Sequence, residues 1–170
     1  EDFISHKKSM LIAPAGYGKT YTIAECVAMG DGKSLILTHT NAGVAALKNR
    51  LKTKGVPSAK YHIETISGYA QKYIKAYIPA DKIPQQDQSS KYYPFIIKTA
   101  TSLFKKDLIG DIIRNSYKRM FVDEYQDCTL SQHQFIVQLS NYLNTHILGD
   151  PMQGIFDFIP NDPIVNLEDD

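Results

Sequence analysis

The feature of this sequence that most constrains its fold is the alternation of short apolar runs with longer amphipathic segments. The amphipathic segments repeat apolar residues every three or four positions, as one face of a helix does, for example at Val44, Leu47 and Leu51. Strands that alternate with helices of this length predict an α/β fold, in which a mostly parallel sheet carries helices on both faces. Four runs are short and apolar enough to be its buried strands: 10–13, 34–38, 120–122 and 146–148.

Two further segments complete a coarse map of the chain. Residues 131–134 have the pattern of a capping box, which predicts the start of a helix there. Pro79, Pro84 and Pro94 enclose a polar loop at 85–92, and the periodicity from 95 to 113 predicts another helix. The length of 170 residues favours a single domain.

The composition excludes several classes of protein. No apolar run approaches the roughly 18 residues that cross a bilayer, so no membrane partner is expected. The two cysteines, Cys26 and Cys128, are too few for a disulfide framework and favour a reducing compartment, so a cytoplasmic location is expected. Neither the cysteines nor the five histidines have the spacing of metal ligands.

Charge is divided unevenly along the chain. Residues 41–119 carry fifteen Lys and Arg against five Asp and Glu, whereas residues 120–170 carry nine acidic side chains and no Lys or Arg. This asymmetry indicates that the middle segment faces a polyanion and that the last third binds cations. The alternative is a solvated basic surface that has no partner.

Residues 13–20 fit the phosphate-binding loop and lie between a predicted strand and a predicted helix. Small residues and glycines let backbone N–H groups turn inward around a β-phosphate. Lys19 would place a positive charge near the β- and γ-phosphates, and the Thr20 hydroxyl would ligate Mg²⁺. The alternative is a glycine-rich turn without a ligand. The predicted cofactor-binding residues are those of the loop: Ala13, Pro14, Ala15, Gly16, Tyr17, Gly18, Lys19 and Thr20.

Residues 120–124 form the matching half of such a site. A buried strand that ends in an acid places Asp123 beside the magnesium ion, as a metal ligand. Glu124 would be the general base that polarises the attacking water. Lys19 and Glu124 are therefore predicted catalytic residues. The alternative is an acidic pair that interacts favourably with the dipole of a following helix.

Four blocks of the sequence resemble, in order, motifs of superfamily 1 helicases of the UvrD/Rep type. The block Asp-Glu-Tyr-Gln-Asp at 123–127, followed by Gln132, resembles motif II. The block Gly-Asp-Pro-Met-Gln-Gly-Ile-Phe at 149–156 resembles motif III. Residues 38–42 resemble motif Ia, and residues 64–69 resemble a looser motif Ib.

This resemblance implies roles for individual residues. Gln153 would sense the γ-phosphate and is therefore a predicted catalytic residue. Phe156 and Phe158 would stack on the bases of single-stranded DNA, unless they belong to the core. His39 would occupy a stacking position in motif Ia, or be a polar residue at the end of a strand. Thr65 would contact a DNA phosphate.

The resemblance also implies the architecture and the activity. Residues 1–170 would be a RecA-like P-loop NTPase domain, the first half of a longer helicase, with a reduced helical accessory insertion at about 70–118. The implied activity is hydrolysis of ATP with Mg²⁺, coupled to translocation on single-stranded DNA and to duplex unwinding. The implied partner domain is a second RecA-like domain of the same full-length chain, which supplies an arginine finger. The isolated chain is accordingly expected to be inactive or weakly active.

The sequence departs from the family pattern in one further respect, since no match to the family's adenine-reading glutamine precedes Met10. Two alternative functions remain open at this point. One is a P-loop module that binds nucleotide or DNA without helicase activity. The other is a P-loop ATPase that acts on a protein partner.

Overall fold

The computed structural model of the chain describes residues 2–14, 16 and 18–150. Its centre is a five-stranded, fully parallel sheet with the strand order β1-β5-β4-β2-β3. The α/β fold expected from the alternating pattern, of the RecA-like type implied by the motifs, is therefore confirmed. The strands are β1 Lys8–Ile12, β2 Ser34–Thr38, β3 Tyr61–Thr65, β4 Arg119–Val122 and β5 Asn144–Gly149.

Six α-helices connect these strands within the described part of the chain. Three of them begin at a threonine that caps the helix, because the Thr40, Thr65 and Thr129 hydroxyls accept hydrogen bonds from the backbone N–H groups of Gly43, Gly68 and Gln132. The helices are α1 Lys19–Met29, α2 Asn41–Thr53, α3 Ile66–Tyr77, α4 Ser89–Leu103, α5 Asp107–Ser116 and α6 Leu130–Ser140.

The sheet separates two apolar cores. Successive side chains of a strand point to opposite faces, so Ile36 and Phe121 pack with α1 and α2 on one face. Leu37 and Val122 pack with the other four helices on the opposite face. The central strands β2 and β4 are buried along their whole length, which explains why they are visible as continuous apolar runs.

β3 is a strand that the apolar runs did not predict. It lies at an edge of the sheet, where it pairs only with β2 among the described strands. Of its residues only Ile63 is buried, and its sequence Tyr-His-Ile-Glu-Thr alternates between apolar and polar side chains. An edge strand needs no continuous apolar run, so the criterion that found the central strands missed this one.

The helical region between β3 and β4 also differs from the expectation. The expected single helix at 95–113 is two helices, α4 and α5, which are separated by residues 104–106. The apolar periodicity continues across the break because both helices face the same core. Helix α4 begins at Ser89, so the expected loop at 85–92 is shorter and Pro94 lies inside the helix.

The capping box lies two residues earlier than expected. The Thr129 hydroxyl accepts a hydrogen bond from the Gln132 N–H, and the Gln132 side chain accepts one from the Thr129 N–H at 3.0 Å. The expected box at 131–134 is therefore wrong. Both quartets fit the sequence pattern, but Ser131 is already inside α6.

Because the strands are parallel, their carboxyl ends all lie along one edge of the sheet. This edge runs across the strands and is distinct from the outermost strands β1 and β3. The loop that begins at Ala13 follows β1, Asp123 follows β4 and Asp150 follows β5. Ligands of open α/β sheets bind at this edge, so the fold places the candidate site there. No helix within the described residues is both long enough and apolar enough to cross a membrane.

Candidate nucleotide-binding site

Two glycines of the loop after β1 have the left-handed backbone that suits a phosphate-binding loop. Gly16 and Gly18 have φ angles of 80° and 83°, in the left-handed region that favours glycine. A Cβ atom built on Gly16 meets no atom within 4 Å, so this side of the loop is open. Gly18 is the N-cap of α1, and no side chain caps that helix. The first N–H groups of α1 are thus available to an anion, which the helix dipole also favours.

Lys19 and Thr20 begin the helix that follows the loop. The Lys19 side chain is 6% exposed, and its Nζ donates a hydrogen bond to the carbonyl oxygen of Ala13 at 3.0 Å. The Ala13 N–H in turn donates to the Gly149 carbonyl at 3.1 Å, which ties the loop to the end of β5. Thr20 is partly buried at the start of α1. The ammonium group of Lys19 is therefore held against the loop by a neutral carbonyl that a phosphate oxygen can replace.

Asp123 is a buried carboxylate near Lys19. It is 5% exposed, and its N–H donates to the Leu37 carbonyl at 2.9 Å, beyond the last paired residues of β2 and β4. Burial, followed by the charge of Glu124, raises the pKa of Asp123 to about 6, and the positive charge of Lys19 opposes this shift. A buried carboxylate of this kind suits a cation ligand, because a bound cation compensates its charge.

Glu124 has a strained backbone. Its φ of 54° and ψ of 48° are left-handed, and it is the one residue other than glycine with a positive φ in the described ranges. This conformation costs on the order of 1–3 kcal/mol and concentrates at functional sites. The Glu124 N–H donates to Oδ1 of Asp123 at 3.1 Å, so the strained turn brings the two acids together.

Gln126 is a residue of this site that sequence reasoning missed. It is 3% exposed, and its Nε2 donates to Oε2 of Glu124 at 2.6 Å. Its Oε1 accepts a hydrogen bond from the backbone N–H of Asp150 at 2.9 Å. The side chain therefore joins the segment after β4 to the segment after β5. The available signal was a glutamine inside an acidic block, which predicts no partner by itself.

The donor set fits Mg²⁺ bound together with a nucleotide. Magnesium usually takes one or two protein oxygens, keeps several waters and uses phosphate oxygens for the rest. Thr20 and Asp123 are the predicted protein ligands, and both lie at this edge of the sheet. No cluster of three or more His, Cys, Asp or Glu side chains in the described ranges can hold a metal ion. A magnesium ion here would therefore depend on phosphate oxygens.

Two of the predicted nucleic-acid-binding residues lie at the same edge of the sheet. His39 follows β2, and its Nε2 is 3.4 Å from Sγ of the buried Cys128. Burial lowers the pKa of His39 to about 4, so its imidazole is neutral at pH 7. Thr65 ends β3, and its hydroxyl accepts from the Gly68 N–H at 3.0 Å. Their contacts with nucleic acid stay predictions.

Several predicted residues lie outside the part of the chain that the structure describes. They are two residues of the phosphate loop, the predicted γ-phosphate sensor and the two predicted base-stacking aromatics: Ala15, Tyr17, Gln153, Phe156 and Phe158.

Comparison with known proteins finds one family similar to the second half of the chain. A family model described as UvrD/REP helicase N-terminal domain matches residues 85–167. The matched region contains the blocks that resemble motifs II and III, at 123–127 and 149–156, and the segment that joins them. The phosphate loop lies outside the matched region, so the two halves of the candidate site are supported by different observations.

Curated relatives point in the same direction. The chain is 28% identical over 105 residues to an ATP-dependent helicase/nuclease subunit from Lactococcus lactis subsp. lactis (strain IL1403), which is 62% of this chain and 8% of that protein. It is 28% identical over 101 residues to the protein of the same description from Streptococcus mutans serotype c, which is 59% of this chain and 8% of the relative. The matched segment thus spans less than a tenth of the length of these relatives.

Proposed function

Since the chain carries a UvrD-like superfamily 1 helicase N-terminal domain, we propose that it binds ATP with Mg²⁺ and hydrolyses it to drive movement along single-stranded DNA. The observation that carries this proposal is the juxtaposition, at one sheet edge, of the loop lysine and the two acids after β4. Asp123 is buried with a raised pKa, and Glu124 is held in a strained turn beside it. A structural acid pair would need neither feature.

Each residue has a chemical role in the proposed reaction. The N–H groups of the loop and of the first turn of α1 would bind the phosphates, and Lys19 would neutralise charge on the β- and γ-phosphates. Thr20 and Asp123 would hold Mg²⁺, which supplies Lewis-acid stabilisation of the phosphoryl group when it is bound. Glu124 would orient the attacking water and accept its proton.

The proposed nucleic acid track crosses the same edge of the sheet. Helices α2 and α3 begin just after the carboxyl ends of β2 and β3, so the positive ends of their dipoles lie at this edge, where a phosphate group binds favourably. Thr65 would contact a DNA phosphate, and His39 would lie beside a base. Phe156 and Phe158 would stack on further bases, and Gln153 would sense the γ-phosphate.

The basic middle of the chain supports a polyanionic partner. Lys48 and Lys52 line an open groove of about 570 Å³ beside Tyr61, between α2 and β3. Both lysines are exposed, and neither has an ion pair within the described residues. The acid of the neighbouring strand, Glu64, is already paired with Lys72 at 2.6 Å. The groove thus has positive charge available for a phosphate backbone.

We assign the domain organisation on the same basis. Residues 1–170 would belong to one RecA-like motor domain, and residues from about 70 to 118 would form a reduced helical accessory insertion. Helices α4 and α5 of this region pack on the same core as α3 and α6, which suits an insertion too small for a core of its own. A second RecA-like domain of the full-length chain would complete the motor and supply an arginine finger.

The test compares ATP turnover of the intact protein with and without single-stranded DNA. Wild-type hydrolysis should be stimulated by DNA. Glu124→Gln should retain nucleotide binding and lose turnover, because the amide is not a base. Glu25→Gln is the matched control, since Glu25 lies on α1 and is paired with Lys54. Normal turnover in Glu124→Gln would refute the site, and DNA-insensitive turnover without oligonucleotide affinity would favour an ATPase that acts on a protein partner.

A further inference from the structure

Gln126 connects the proposed general base to the chain that follows β5. Its side-chain amide donates from Nε2 to Oε2 of Glu124 at 2.6 Å and accepts at Oε1 from the Asp150 N–H at 2.9 Å. Both hydrogen bonds are shielded from solvent, because Gln126 is 3% exposed and Asp150 is 2% exposed. Hydrogen bonds in such surroundings are strong, and their loss leaves buried polar groups without partners.

The direction of this bridge is determined by its partners. A backbone N–H can only donate, so the amide oxygen must face Asp150. The amide nitrogen must then face the carboxylate of Glu124, which can only accept when ionised. The flipped amide would put two donors together at one end and two acceptors together at the other. Gln126 therefore has one arrangement that satisfies both neighbours.

The bridge restrains the side chain of Glu124, whose backbone is already held by hydrogen bonds to Asp123 and Asp127. Within the described residues, Gln126 is the side chain that donates to the Glu124 carboxylate. The Glu124 backbone has a left-handed conformation, which is higher in free energy than the right-handed and extended conformations for a residue other than glycine. A small movement of Gln126 is therefore sufficient to redirect the carboxylate.

We propose that Gln126 is a positioning residue that transmits the position of the segment after β5 to Glu124, and so couples DNA occupancy to ATP hydrolysis. This inference rests on the proposed function. Asp150 immediately precedes the residues that would sense the γ-phosphate and stack on DNA bases, Gln153, Phe156 and Phe158. In this proposal, DNA binding displaces the Asp150 N–H. The planar side-chain amide of Gln126, which is bonded to that N–H, then reorients and moves its other hydrogen bond, to the Glu124 carboxylate.

The test uses two substitutions of the intact protein that break different parts of the bridge. Gln126→Glu keeps an acceptor oxygen for the Asp150 N–H but replaces the donor to Glu124 by a second carboxylate oxygen. Gln126→Ala removes both hydrogen bonds. The measurements are kcat and KM for ATP, with and without a single-stranded oligonucleotide, and the Kd for that oligonucleotide.

In both variants we expect the DNA-stimulated kcat to fall by about 10²-fold, the usual effect of misplacing a catalytic group by about 1 Å. The ratio of stimulated to basal turnover should fall towards one. The KM for ATP and the Kd for the oligonucleotide should change by less than about threefold, because Gln126 is placed to contact neither ligand. This separation of kcat from both binding constants is what a purely structural role would not produce.

Gln138→Ala is the matched control. Gln138 is a partly buried glutamine on α6 that donates at 3.1 Å to both the Phe104 carbonyl and the Tyr142 hydroxyl, away from the candidate site. This variant should lower the melting temperature and keep the stimulation ratio of the wild type. A lowered melting temperature with a retained ratio in the Gln126 variants would make Gln126 equally structural and overturn the inference.

The two proposals fail in different ways. If wild-type hydrolysis does not respond to DNA, the proposed function fails and this inference fails with it. If wild-type hydrolysis is stimulated by DNA and Gln126→Glu keeps the same stimulation ratio, only the coupling role of Gln126 is refuted. Should Gln126→Glu fold poorly, Gln126→Ala decides by the same criteria.

Discussion

The two ends of the sheet differ in how their buried polar side chains are connected. At the carboxyl ends of the strands, the polar side chains are connected to one another, from Asp123 through Glu124 and Gln126 to the backbone of Asp150. At the amino ends and within β5, several polar atoms are buried without partners in the described part of the chain: Nε and Nη1 of Arg119, Oγ of Ser34 and Nε2 of His146. At the carboxyl ends the corresponding atom is Oδ1 of Asp127.

His146 shows how charge is avoided at the amino ends. The Ser9 hydroxyl donates to the Phe3 carbonyl at 2.8 Å, so its contact with Nδ1 of His146 at 2.7 Å requires the proton to be on Nδ1. Burial, with a smaller contribution from Arg119, lowers the pKa of His146 to about 4. The ring is therefore neutral at pH 7. We infer that the carboxyl ends hold buried charge for chemistry, whereas the buried charge described at the amino ends is that of Arg119, whose Nη2 is paired with Asp31 at 2.7 Å.

The largest expected effect is at the carboxyl ends. Lys19→Ala removes the main side-chain counterion of the phosphates, so ATP turnover of the intact protein should fall by at least about 10²–10³-fold and nucleotide binding should weaken. The melting temperature should hardly change, because the folded state loses one hydrogen bond to Ala13. Steady-state turnover and calorimetry measure the two quantities.

Lys33→Ala is the control for this substitution, since Lys33 is an exposed lysine at the amino ends of the strands. It should leave both turnover and stability close to wild type. Wild-type turnover in Lys19→Ala would contradict the proposed separation of the two ends.

The second expected effect is a pH dependence of stability that arises from buried histidines. The pKa values of His146 and His39 are both lowered to about 4, so the unfolded chain binds protons that the folded chain does not. The free energy of unfolding should therefore fall as the pH falls from about 6.5 to about 4, by up to about 3 kcal/mol for each histidine. Above about pH 6.5 this contribution is fully present.

Urea titrations at pH 7 and pH 5 measure this dependence. His146→Asn should narrow the difference in unfolding free energy between the two pH values, and the His39→Asn, His146→Asn double variant should narrow it further. An unchanged difference in the double variant would mean that carboxylates, not histidines, determine the acid sensitivity.

The smallest expected effect concerns packing at the amino ends. A Cβ atom on Gly30 would lie 1.6 Å from Nη1 of Arg119 and 2.8 Å from the Cys26 carbonyl oxygen. Gly30→Ala should therefore displace the buried guanidinium and destabilise the protein by about 1–3 kcal/mol. Nucleotide affinity per folded molecule should not change. Met29→Ala, at an exposed neighbour, is the control and should cost less; equal costs would show that Arg119 has room to move.

The sequence was sufficient to predict the parts of the fold that leave a local pattern. β2 was expected at 34–38 and lies there, because a strand buried on both faces is a continuous apolar run. β3 was missed because His62, Glu64 and Thr65 interrupt its apolar residues and only Ile63 is buried, whereas the other edge strand, β1, contains the apolar run Met10–Ile12. The break between α4 and α5 was missed because Leu103 and Ile109 face one core on both sides of it, so the periodicity does not register the turn.

The candidate site also has one part that the sequence predicted and another part that it did not. The positions of Lys19, Asp123 and Glu124 follow from motif spacing and from the rule that parallel strands end at one edge. The role of Gln126 depends on the backbone of Asp150, 24 positions later, which becomes its neighbour only because β4 and β5 are adjacent. The contact between His39 and Cys128, 89 positions apart, likewise depends on the pairing of β2 with β4. No local pattern reports such contacts.

The strand order has a consequence for how this protein forms in the cell. β1 pairs with β5 alone among the described strands, and Ser9 aligns with His146, 137 positions later. At a synthesis rate of about 5–20 residues per second, the first strand waits roughly 7–27 s for its partner to be made. The loop that begins at Ala13 follows this strand, so we expect the candidate phosphate site to assemble only after β5 has been made. If the proposed function is right, nucleotide should stabilise a nascent chain only once it is complete through Gly149.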